Sequence, residues 1–335
     1  MDFEDYKPSR RHVLQGAAVA AALGVAPAAM AQSSATSDAV QRPLKNPQNL
    51  GYPKPPFVEQ SQPWPGLAGR MNPRPDHGET SYKGSGQLLG RKALITGGDS
   101  GLGRAAAIAY AREGADVAVN YLPDEESDAR EVIKLIQDAG RKAVAIPGDL
   151  RDPEFCRRLV NNAHSALGGL DILVNCAGRQ HSYDSILDIP DEQFDWTLKT
   201  NLYALFWLSK AAVAVMPEGS AIVNTTSVNA YDPSKNIIDY SLTKAGIANF
   251  TKGLAKQVID RGIRVNAIAP GPFWTALQVS GGQTMEKLKQ FGSDTPLKRP
   301  GQPAEIAGLY VQLASAQSSY VTGQVFGASG GAGQP

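Results

Sequence analysis

The sequence predicts a single α/β domain over residues 91–335, built on a doubly wound parallel sheet of seven strands. Short apolar runs alternate with longer amphipathic stretches, and strands that alternate with helices pair in parallel through right-handed crossovers. A glycine-rich segment, Gly97 to Gly103, directly follows the first apolar run. The chain has 335 residues, of which 42% are hydrophobic and 19% charged, a composition typical of a folded globular protein.

The strands are predicted from short apolar runs, and the helices from the amphipathic stretches between them. Gly114 and Gly140 end the first two helices, Pro153 begins the third, and Asp191, after Pro190, begins the fourth. The predicted strands cover 92–96, 116–120, 142–146, 171–175, 221–224, 263–268 and 324–326. The predicted helices cover 104–113, 124–139, 153–167 and 191–216, and a fifth carries Tyr240 and Lys244 and ends near Asp260.

An irregular stretch follows the sixth strand. It begins at Pro270-Gly271-Pro272 and continues to about Pro300. A long loop without a core of its own is often a lid over a binding site, so we expect this stretch to cover one.

The N-terminus, residues 1–31, has the pattern of an export signal. Arg10 and Arg11 precede an uncharged run from Gln15, which ends in the small-x-small sequence Ala29-Met30-Ala31. The paired arginines resemble the twin-arginine signal, and the run is shorter than a membrane span needs. We therefore expect export to the periplasm with cleavage after Ala31 and no membrane attachment afterwards. A segment that is not cleaved, with a cytoplasmic or membrane-anchored protein, is the alternative.

We expect residues 32–90 to form an arm without helices or strands. The arm carries nine of the 23 prolines of the chain and almost no hydrophobic periodicity, which argues against helices and strands. It also carries Tyr52, Phe57 and Trp64, and a disordered linker needs no aromatic residues. We expect an extended arm that docks on the body or on a neighbouring subunit; a flexible linker is the alternative.

Charge and cysteine content exclude several classes of function. The formal net charge is +1 and basic residues form no long block, so a nucleic-acid partner is not expected. The two cysteines, Cys156 and Cys176, are expected to be free thiols, because a chain of this size needs no disulfide for stability. No metal site is predicted.

The ends of the strands carry the candidate binding residues. In doubly wound sheets, ligands bind at the carboxyl ends of the strands, and glycines between a strand and a helix let the backbone approach a pyrophosphate. Asp149, after the third strand, could accept a hydrogen bond from an adenine amino group or could equally cap a turn. The fourth strand ends in Asn175-Cys176-Ala177-Gly178, where small residues allow close approach of a ribose and Asn175 can link neighbouring strands.

Tyr240 and Lys244 are the candidate catalytic pair. They stand four residues apart, so they share one face of a helix, and Ser227 precedes the tyrosine by 13 residues. A nearby cation lowers the pKa of a phenol from roughly 10 towards the range useful for acid–base catalysis. The three residues describe a site that moves a proton on or off a carbonyl or alcohol oxygen.

These motifs together resemble the short-chain dehydrogenase/reductase family over roughly residues 88–330. Several stretches are most similar to a bacterial subgroup described as NAD(P)-dependent aldehyde reductases or general stress oxidoreductases, which also has a proline-rich arm. The matching motifs are Thr96-Gly97…Gly101-Leu102-Gly103, Asp149, Asn175-Cys176-Ala177-Gly178, Asn201, Ser227, Tyr240…Lys244 and Pro270-Gly271. One position departs from the pattern: Cys176 stands where the family more usually has asparagine.

The resemblance implies a Rossmann-type fold and a role for each matching residue. Tyr240 would be the proton donor or acceptor, Lys244 would lower its pKa and hold the nicotinamide ribose, and Ser227 would bind the substrate oxygen. Asn201 would hold a water molecule that connects Lys244 to solvent. The implied cofactor contacts are Gly97, Asp99, Ser100, Gly101, Leu102, Gly103, Asn120, Tyr121, Asp149, Leu150, Asn175, Ala177, Gly178, Tyr240, Lys244, Pro270, Gly271, Phe273 and Thr275.

The expected cofactor is NADP, with NAD as the alternative. NAD-specific enzymes favour an acidic residue after the second strand, and this chain has Asn120-Tyr121 there. Ser100 stands where NADP enzymes often have an arginine, and Arg104, one helical step on, is expected to face solvent. An exported enzyme would meet little soluble cofactor, so we expect the folded protein to retain its dinucleotide tightly.

The expected reaction is reduction of a small aldehyde or ketone, or oxidation of the matching alcohol. A sugar or polyol dehydrogenase and a non-catalytic dinucleotide-binding sensor are the alternatives. His181, Tyr183, Tyr231 and the loop 273–299 are expected to form the substrate pocket, although each could be ordinary packing, and Phe273 and Trp274 could be core of the loop. The resemblance also implies a homo-oligomer, most often a tetramer.

Overall fold

The computed structural model describes residues 45–332. The expected signal at 1–31 and the first part of the arm, 32–44, lie outside the described residues. No helix within 45–332 is long and apolar enough to cross a membrane.

Seven parallel strands form one sheet in the order β3-β2-β1-β4-β5-β6-β7. The order reverses between β1 and β4, which is where a doubly wound sheet opens a crevice for ligands. This confirms the predicted fold class. The strands are β1 Lys92–Thr96, β2 Asp116–Tyr121, β3 Ala143–Pro147, β4 Ile172–Asn175, β5 Ala221–Thr225, β6 Arg264–Pro270 and β7 Val325–Ala328.

Helices cover both faces of the sheet. The α-helices are α1 Gly101–Arg112, α2 Glu126–Asp138, α3 Pro153–Leu167, α4 Asp191–Leu198, α5 Ala204–Val215, α6 Ile238–Val258, α7 Met285–Lys289 and α8 Ala304–Ala314. One core packs α1, α2 and α8 on one face, and a second packs α3, α5 and α6 on the other. Strands buried on both faces read as continuous apolar runs, which explains why the sequence revealed them.

Three features differ from the predicted elements. The helix expected at 191–216 is real but contains a wide π-helical turn at Lys199–Tyr203, between α4 and α5. The stretch expected to be irregular contains α7 and a second wide turn at Gln278–Gly282. Helix α8 was not predicted; its mostly apolar sequence belongs to a buried helix, which lacks a clear polar face.

The described part of the arm, residues 45–90, lies against the body. The ring of Phe57 stacks on Trp274 with 4.2 Å between ring centres, and the indole N–H of Trp274 donates to the Pro73 carbonyl oxygen at 2.8 Å. With Met71 and Phe291, these side chains form a third buried cluster between the arm and the loop 273–299, which we call the active-site loop. Trp274 is therefore core of the loop and not a ligand contact.

The expectation that Arg104 faces solvent is wrong. Its side chain is 1% exposed, and its guanidinium bonds Glu79 of the arm and Glu131 of α2. The two carboxylates compensate the buried charge, so Arg104 links α1 to the arm and α2. The sequence could not show this, because Glu79 lies in the arm, far from Arg104 along the chain.

Cys156 and Cys176 are free thiols, as predicted. Cys156 is on the buried face of α3, and its Sγ lies 3.2 Å from the Leu150 carbonyl oxygen. Burial raises the pKa of its thiol to about 12, so Cys156 is unreactive at neutral pH.

Candidate active site

A cavity of about 910 Å³ opens at the carboxyl ends of the strands. It extends from the glycine-rich turn after β1, past the ends of β4 and β5, to the active-site loop. Of the predicted catalytic and cofactor-binding residues, only Asn175 and Asn201 do not line this cavity. Motifs spread over more than 170 positions of the sequence therefore meet in one site.

The glycine-rich turn has the shape that a pyrophosphate requires. Gly97 has φ +61°, and a β-carbon there would lie 2.9 Å from the Ala177 α-carbon. A β-carbon on Gly103 would lie 2.1 Å from the Gly97 carbonyl oxygen, so only glycine permits the turn. Helix α1 begins at Gly101, and its first N–H groups and dipole favour an anion at this end of the cavity. The residues thus fit a dinucleotide.

Polar side chains surround the part of the cavity that follows β2 and β3. Asn120 donates to the carbonyl oxygens of Ile146 and Gly148, so it fixes β2 against β3. Asp149 accepts from the Arg151 backbone N–H at 2.9 Å and pairs with the Arg151 guanidinium, so it caps a turn while still lining the cavity. Both predicted interpretations of Asp149 thus remain compatible with its position.

Of the two roles expected for Asn175, the structure shows the link between strands. Its side chain does not line the cavity in which the cofactor was expected. Its side-chain N–H donates to Asn224 Oδ1 at 2.9 Å, which links the ends of β4 and β5 beneath the cavity. The next three residues, Cys176, Ala177 and Gly178, do line the cavity.

Tyr240 and Lys244 project from α6 into the cavity and are 8% and 3% exposed. The Lys244 Nζ donates to the Thr225 carbonyl oxygen at 2.8 Å and lies 5.3 Å from the Tyr240 ring centre. Burial raises the pKa of Tyr240 to about 12, although a hydrogen bond with Ser227 opposes the shift. Burial also lowers the pKa of Lys244 to about 8. Burial thus outweighs the lowering of the tyrosine pKa that the sequence predicted, and Tyr240 holds its proton at neutral pH.

Ser227 stands at the turn between β5 and α6 and is 4% exposed. It precedes a short 3₁₀ turn, and its hydroxyl accepts the Asn229 N–H at 3.1 Å. The hydroxyl is thereby oriented beside Tyr240, where both groups could bind one substrate oxygen.

Asn201 lies in the π-helical turn between α4 and α5, directly behind the cavity. Its Oδ1 accepts the Arg179 N–H at 2.7 Å, and its amide donates to the Arg179 carbonyl oxygen and to Thr243. π-Helical turns are frequent at functional sites, because the extra residue redirects the groups of one turn. The side chain is therefore fixed by three hydrogen bonds near Gly178 and Lys244.

The substrate side of the cavity is lined partly by the predicted loop and partly by residues that the sequence did not indicate. His181, Tyr183 and Tyr231 do not line it: the His181 ring packs at a tilted angle against Tyr183, with 4.8 Å between ring centres, and Tyr231 is 38% exposed. The active-site loop does line it, as predicted. Polar residues on this side include Gln180, Asn229 and Asn236 and, within the loop, Gln283, Lys287 and Gln290. Gln180, Asn229 and Asn236 lie outside that loop and are single polar residues, so no sequence pattern marked them.

Residues from the arm also line the cavity. Trp64, Pro65 and Gly66 form part of its wall, and the Trp64 ring lies 4.8 Å from the Arg179 guanidinium. Trp196 of α4 lies on the same guanidinium at 3.9 Å. The sequence signalled a docked arm through its aromatic residues, but it did not indicate that the arm reaches the site.

The site combines a buried proton donor, a buried cation and a cavity that fits a dinucleotide. In the part of the chain that the structure describes, no cluster of three or more potential ligands could hold a metal ion. Tyr240, which is buried in the cavity beside Lys244, can therefore deliver a proton to a carbonyl oxygen there.

A family model described as Enoyl-(Acyl carrier protein) reductase matches residues 97–333. The chain is 58% identical to the uncharacterized oxidoreductase YghA of Escherichia coli (strain K12), over 82% of this chain and 94% of the relative. It is 43% identical to the glucose and ribitol dehydrogenase of Daucus carota, over 83% and 96% of the two chains. It is also 43% identical to the chloroplastic NADPH-dependent aldehyde reductase 1 of Arabidopsis thaliana, over 80% of this chain and 95% of the relative.

Among solved structures, the chain is similar to a short chain dehydrogenase from Burkholderia cenocepacia J2315 in complex with NADP. The two are 34% identical, with a TM-score of 0.68, and the match covers 73% of this chain and 98% of the other.

Proposed function

The chain belongs to the short-chain dehydrogenase/reductase family, and we propose that it reduces a small, polar aldehyde or ketone to an alcohol. It is an oxidoreductase that uses a nicotinamide dinucleotide. One observation carries the proposal: the Tyr240 hydroxyl and the Lys244 ammonium are buried in the same cavity as the glycine-rich turn.

The protein residues divide the work of proton transfer. Ser227 and Tyr240 bind the carbonyl oxygen, and Tyr240 donates the proton as the oxygen gains charge. The Lys244 ammonium stabilises the phenolate that remains, and Asn201 holds the path by which the proton is replaced. The bound nicotinamide supplies the hydride. Because Tyr240 is protonated at neutral pH, it is in the state that proton donation to a carbonyl oxygen requires.

We propose NADP as the preferred cofactor. Asn120 and Tyr121 leave the end of β2 without the carboxylate that binds the ribose of NAD. Burial and the neighbouring Asp99 raise the pKa of Glu125, which lines the cavity nearby, so this carboxyl repels a phosphate less than an ordinary glutamate would. The name of the Arabidopsis relative, an NADPH-dependent reductase, agrees with this preference.

A sugar or polyol dehydrogenase is the second candidate. The Lys287 ammonium donates to Asn236 Oδ1 at 2.7 Å, and both residues line the substrate side of the cavity. Amides and an ammonium suit a ligand with several hydroxyl groups better than an apolar aldehyde. The carrot relative is named for glucose and ribitol.

One panel separates these candidates. Purified protein is assayed with NADPH and NADH against short aldehydes, ketones and aldoses, and with NADP and NAD against ribitol, glucose and simple alcohols. Aldehyde reduction with NADPH at the highest kcat/KM supports the first proposal, and polyol oxidation at the highest kcat/KM supports the second. Turnover of neither class would contradict both.

We further propose that the protein is exported through the twin-arginine route and cleaved after Ala31. The paired Arg10-Arg11, the uncharged run and the Ala29-Met30-Ala31 sequence support this proposal.

We also propose that the protein belongs to the subgroup of aldehyde reductases and general stress oxidoreductases and that it forms a homotetramer. Exposed apolar side chains on α5 and α6, including Phe206 at 48% and Leu242 at 52%, support self-association.

A further inference from the structure

We propose that residues 62–69 of the arm are a strap that retains the dinucleotide in its cavity. The strap connects the active-site loop, on the substrate side, with α2, on the opposite side of the cavity. The inference rests on the proposed function, because it requires that the cavity hold a nicotinamide dinucleotide.

The first attachment joins the strap to the active-site loop. The Gln62 N–H donates to the Val279 carbonyl oxygen at 2.9 Å. Gly66 lies against the same loop so closely that a β-carbon there would be 2.9 Å from the Ala276 carbonyl oxygen and 3.0 Å from the Ser280 β-carbon. The Gln62 side chain also accepts the Leu67 N–H and donates to the Leu67 carbonyl oxygen, which fixes the shape of the strap.

The second attachment joins the strap to α2. The Asp128 carboxylate, 2% exposed, accepts the Ala68 N–H at 2.6 Å and the Gly69 N–H at 3.2 Å. Hydrogen bonds to a charged, buried acceptor are stronger than those between neutral groups. Both N–H donors belong to the strap, so Asp128 has these two hydrogen bonds only while the strap is docked on α2.

The third attachment joins the strap to the catalytic residues. The Trp64 ring lies on the Arg179 guanidinium, and the Arg179 backbone makes two hydrogen bonds with the side chain of Asn201. The Trp64 indole N–H is buried and meets no acceptor within residues 45–332. Since Trp64 lines the cavity, a ligand oxygen is the acceptor that would satisfy this donor.

The attachments lie on different sides of one cavity, so the strap covers it between them. Trp64, Pro65 and Gly66, at the centre of the strap, are the residues that line the cavity. A dinucleotide bound along the glycine-rich turn and Tyr240 therefore lies beneath the strap. Release of the ligand requires the strap to leave α2 or the loop, so the strength of these contacts sets the dissociation rate.

The test measures dissociation of NADPH and NADH by stopped-flow fluorescence, with excess unlabelled NADP or NAD as competitor. We expect Asp128→Ala to raise the dissociation rate by roughly tenfold or more, because both strap N–H groups lose a charged acceptor. The matched control is Asp138→Ala on the same helix, whose carboxylate is exposed and pairs only with Lys134. The control should dissociate at the wild-type rate.

Two further measurements keep the proposal testable if Asp128→Ala does not fold. Gly66→Ala adds a methyl group against the Ala276 carbonyl oxygen and should also speed dissociation. In the wild-type protein, hydrogen exchange of the Gln62, Leu67, Ala68 and Gly69 amides should slow when NADPH is bound.

The outcomes separate the strap from the proposed function. Faster dissociation from the variants, with slower exchange of the strap amides on binding, supports the strap. Wild-type dissociation rates in a folded Asp128→Ala or Gly66→Ala protein, or exchange that NADPH leaves unchanged, overturn the strap while leaving the oxidoreductase intact. A wild-type protein that binds neither dinucleotide overturns the proposed function and the strap together.

Discussion

The Lys244 ammonium donates to the carbonyl oxygen of Thr225, the last residue of β5, at a distance of 2.8 Å. This bond fixes the ammonium 5.3 Å from the centre of the Tyr240 ring. The end of a strand thus positions the cation that the tyrosine needs when it gives up its proton.

The rate of carbonyl reduction should fall as the pH rises through about 8. Burial lowers the pKa of Lys244 to about 8, so the ammonium loses its charge there and no longer stabilises the Tyr240 phenolate. The pH dependence of the rate constant for reduction in a single turnover measures this effect. Lys252→Met, an exposed position on the same helix, should keep the profile, and a flat profile from pH 7 to about 9.5 would contradict the relay.

Tyr240→Phe should lower kcat by roughly 10²- to 10⁴-fold, the usual contribution of a positioned general acid. The ring remains, so dinucleotide binding should change little. Steady-state kinetics and NADPH titration measure the two effects. Tyr231→Phe removes a hydroxyl outside the cavity and should leave both unchanged. Normal turnover by Tyr240→Phe would remove the basis of the proposed reaction.

Lys287→Met should raise KM for polyols and sugars by roughly 10- to 100-fold, with a much smaller effect on short, apolar aldehydes. The ammonium is a charged donor on the substrate side, and a lost hydrogen bond to a charged group costs about 1.5–3 kcal/mol. Comparison of KM for ribitol and for butanal measures the difference. Equal effects on both substrates would show that Lys287 only supports the active-site loop.

The protein should lose stability in acid as Glu79 is protonated. Burial favours the neutral carboxyl, but the hydrogen bond with His77 and the charge of Arg104 outweigh it and lower the pKa of Glu79 to about 2. The contribution is present above pH 4.5, is lost as pH falls towards 2, and amounts to at most about 3 kcal/mol. Thermal unfolding against pH measures it. Glu79→Gln should flatten the curve in this range, whereas Glu192→Gln, on the exposed surface of α4, should not.

Export can be tested by mass spectrometry. The intact mass is measured for the protein isolated from a cell extract and for the protein isolated from the periplasm. We expect the periplasmic form to begin at Gln32, and an Arg10→Lys, Arg11→Lys protein to stay in the cytoplasm with its N-terminus uncleaved. A full-length mass in the periplasm would contradict cleavage after Ala31. A cleaved periplasmic form of the double-lysine protein would contradict the twin-arginine route.

Local patterns predicted the sheet and most helices well. The strand 92–96 and the helix 153–167 match β1 and α3 residue for residue, because apolar runs and a proline start are local signals. Most of the cofactor contacts that the family resemblance implied also line the cavity.

Apart from α8, the main features that the sequence missed depend on contacts between residues apart in the chain. The π-helical turn at Asn201, the buried pairing of Arg104 with Glu79 and the position of Trp64 in the cavity wall follow from tertiary packing. Spacing along one helix predicts a shared face. It cannot predict which residue of a proline-rich arm reaches that face, because no periodic pattern connects the two.

The contact of Trp274 with Pro73 joins residues 201 positions apart, so the arm can dock only after most of the chain has been synthesised. The ribosome makes the arm first, but Trp274 and Phe291, on which the arm docks, emerge about 10–40 s later at typical elongation rates. During that interval Phe57 and Met71 have no buried partner in the nascent chain. Docking of the arm is therefore one of the last steps of folding, and molecular chaperones that bind apolar segments would meet the arm before its own body does.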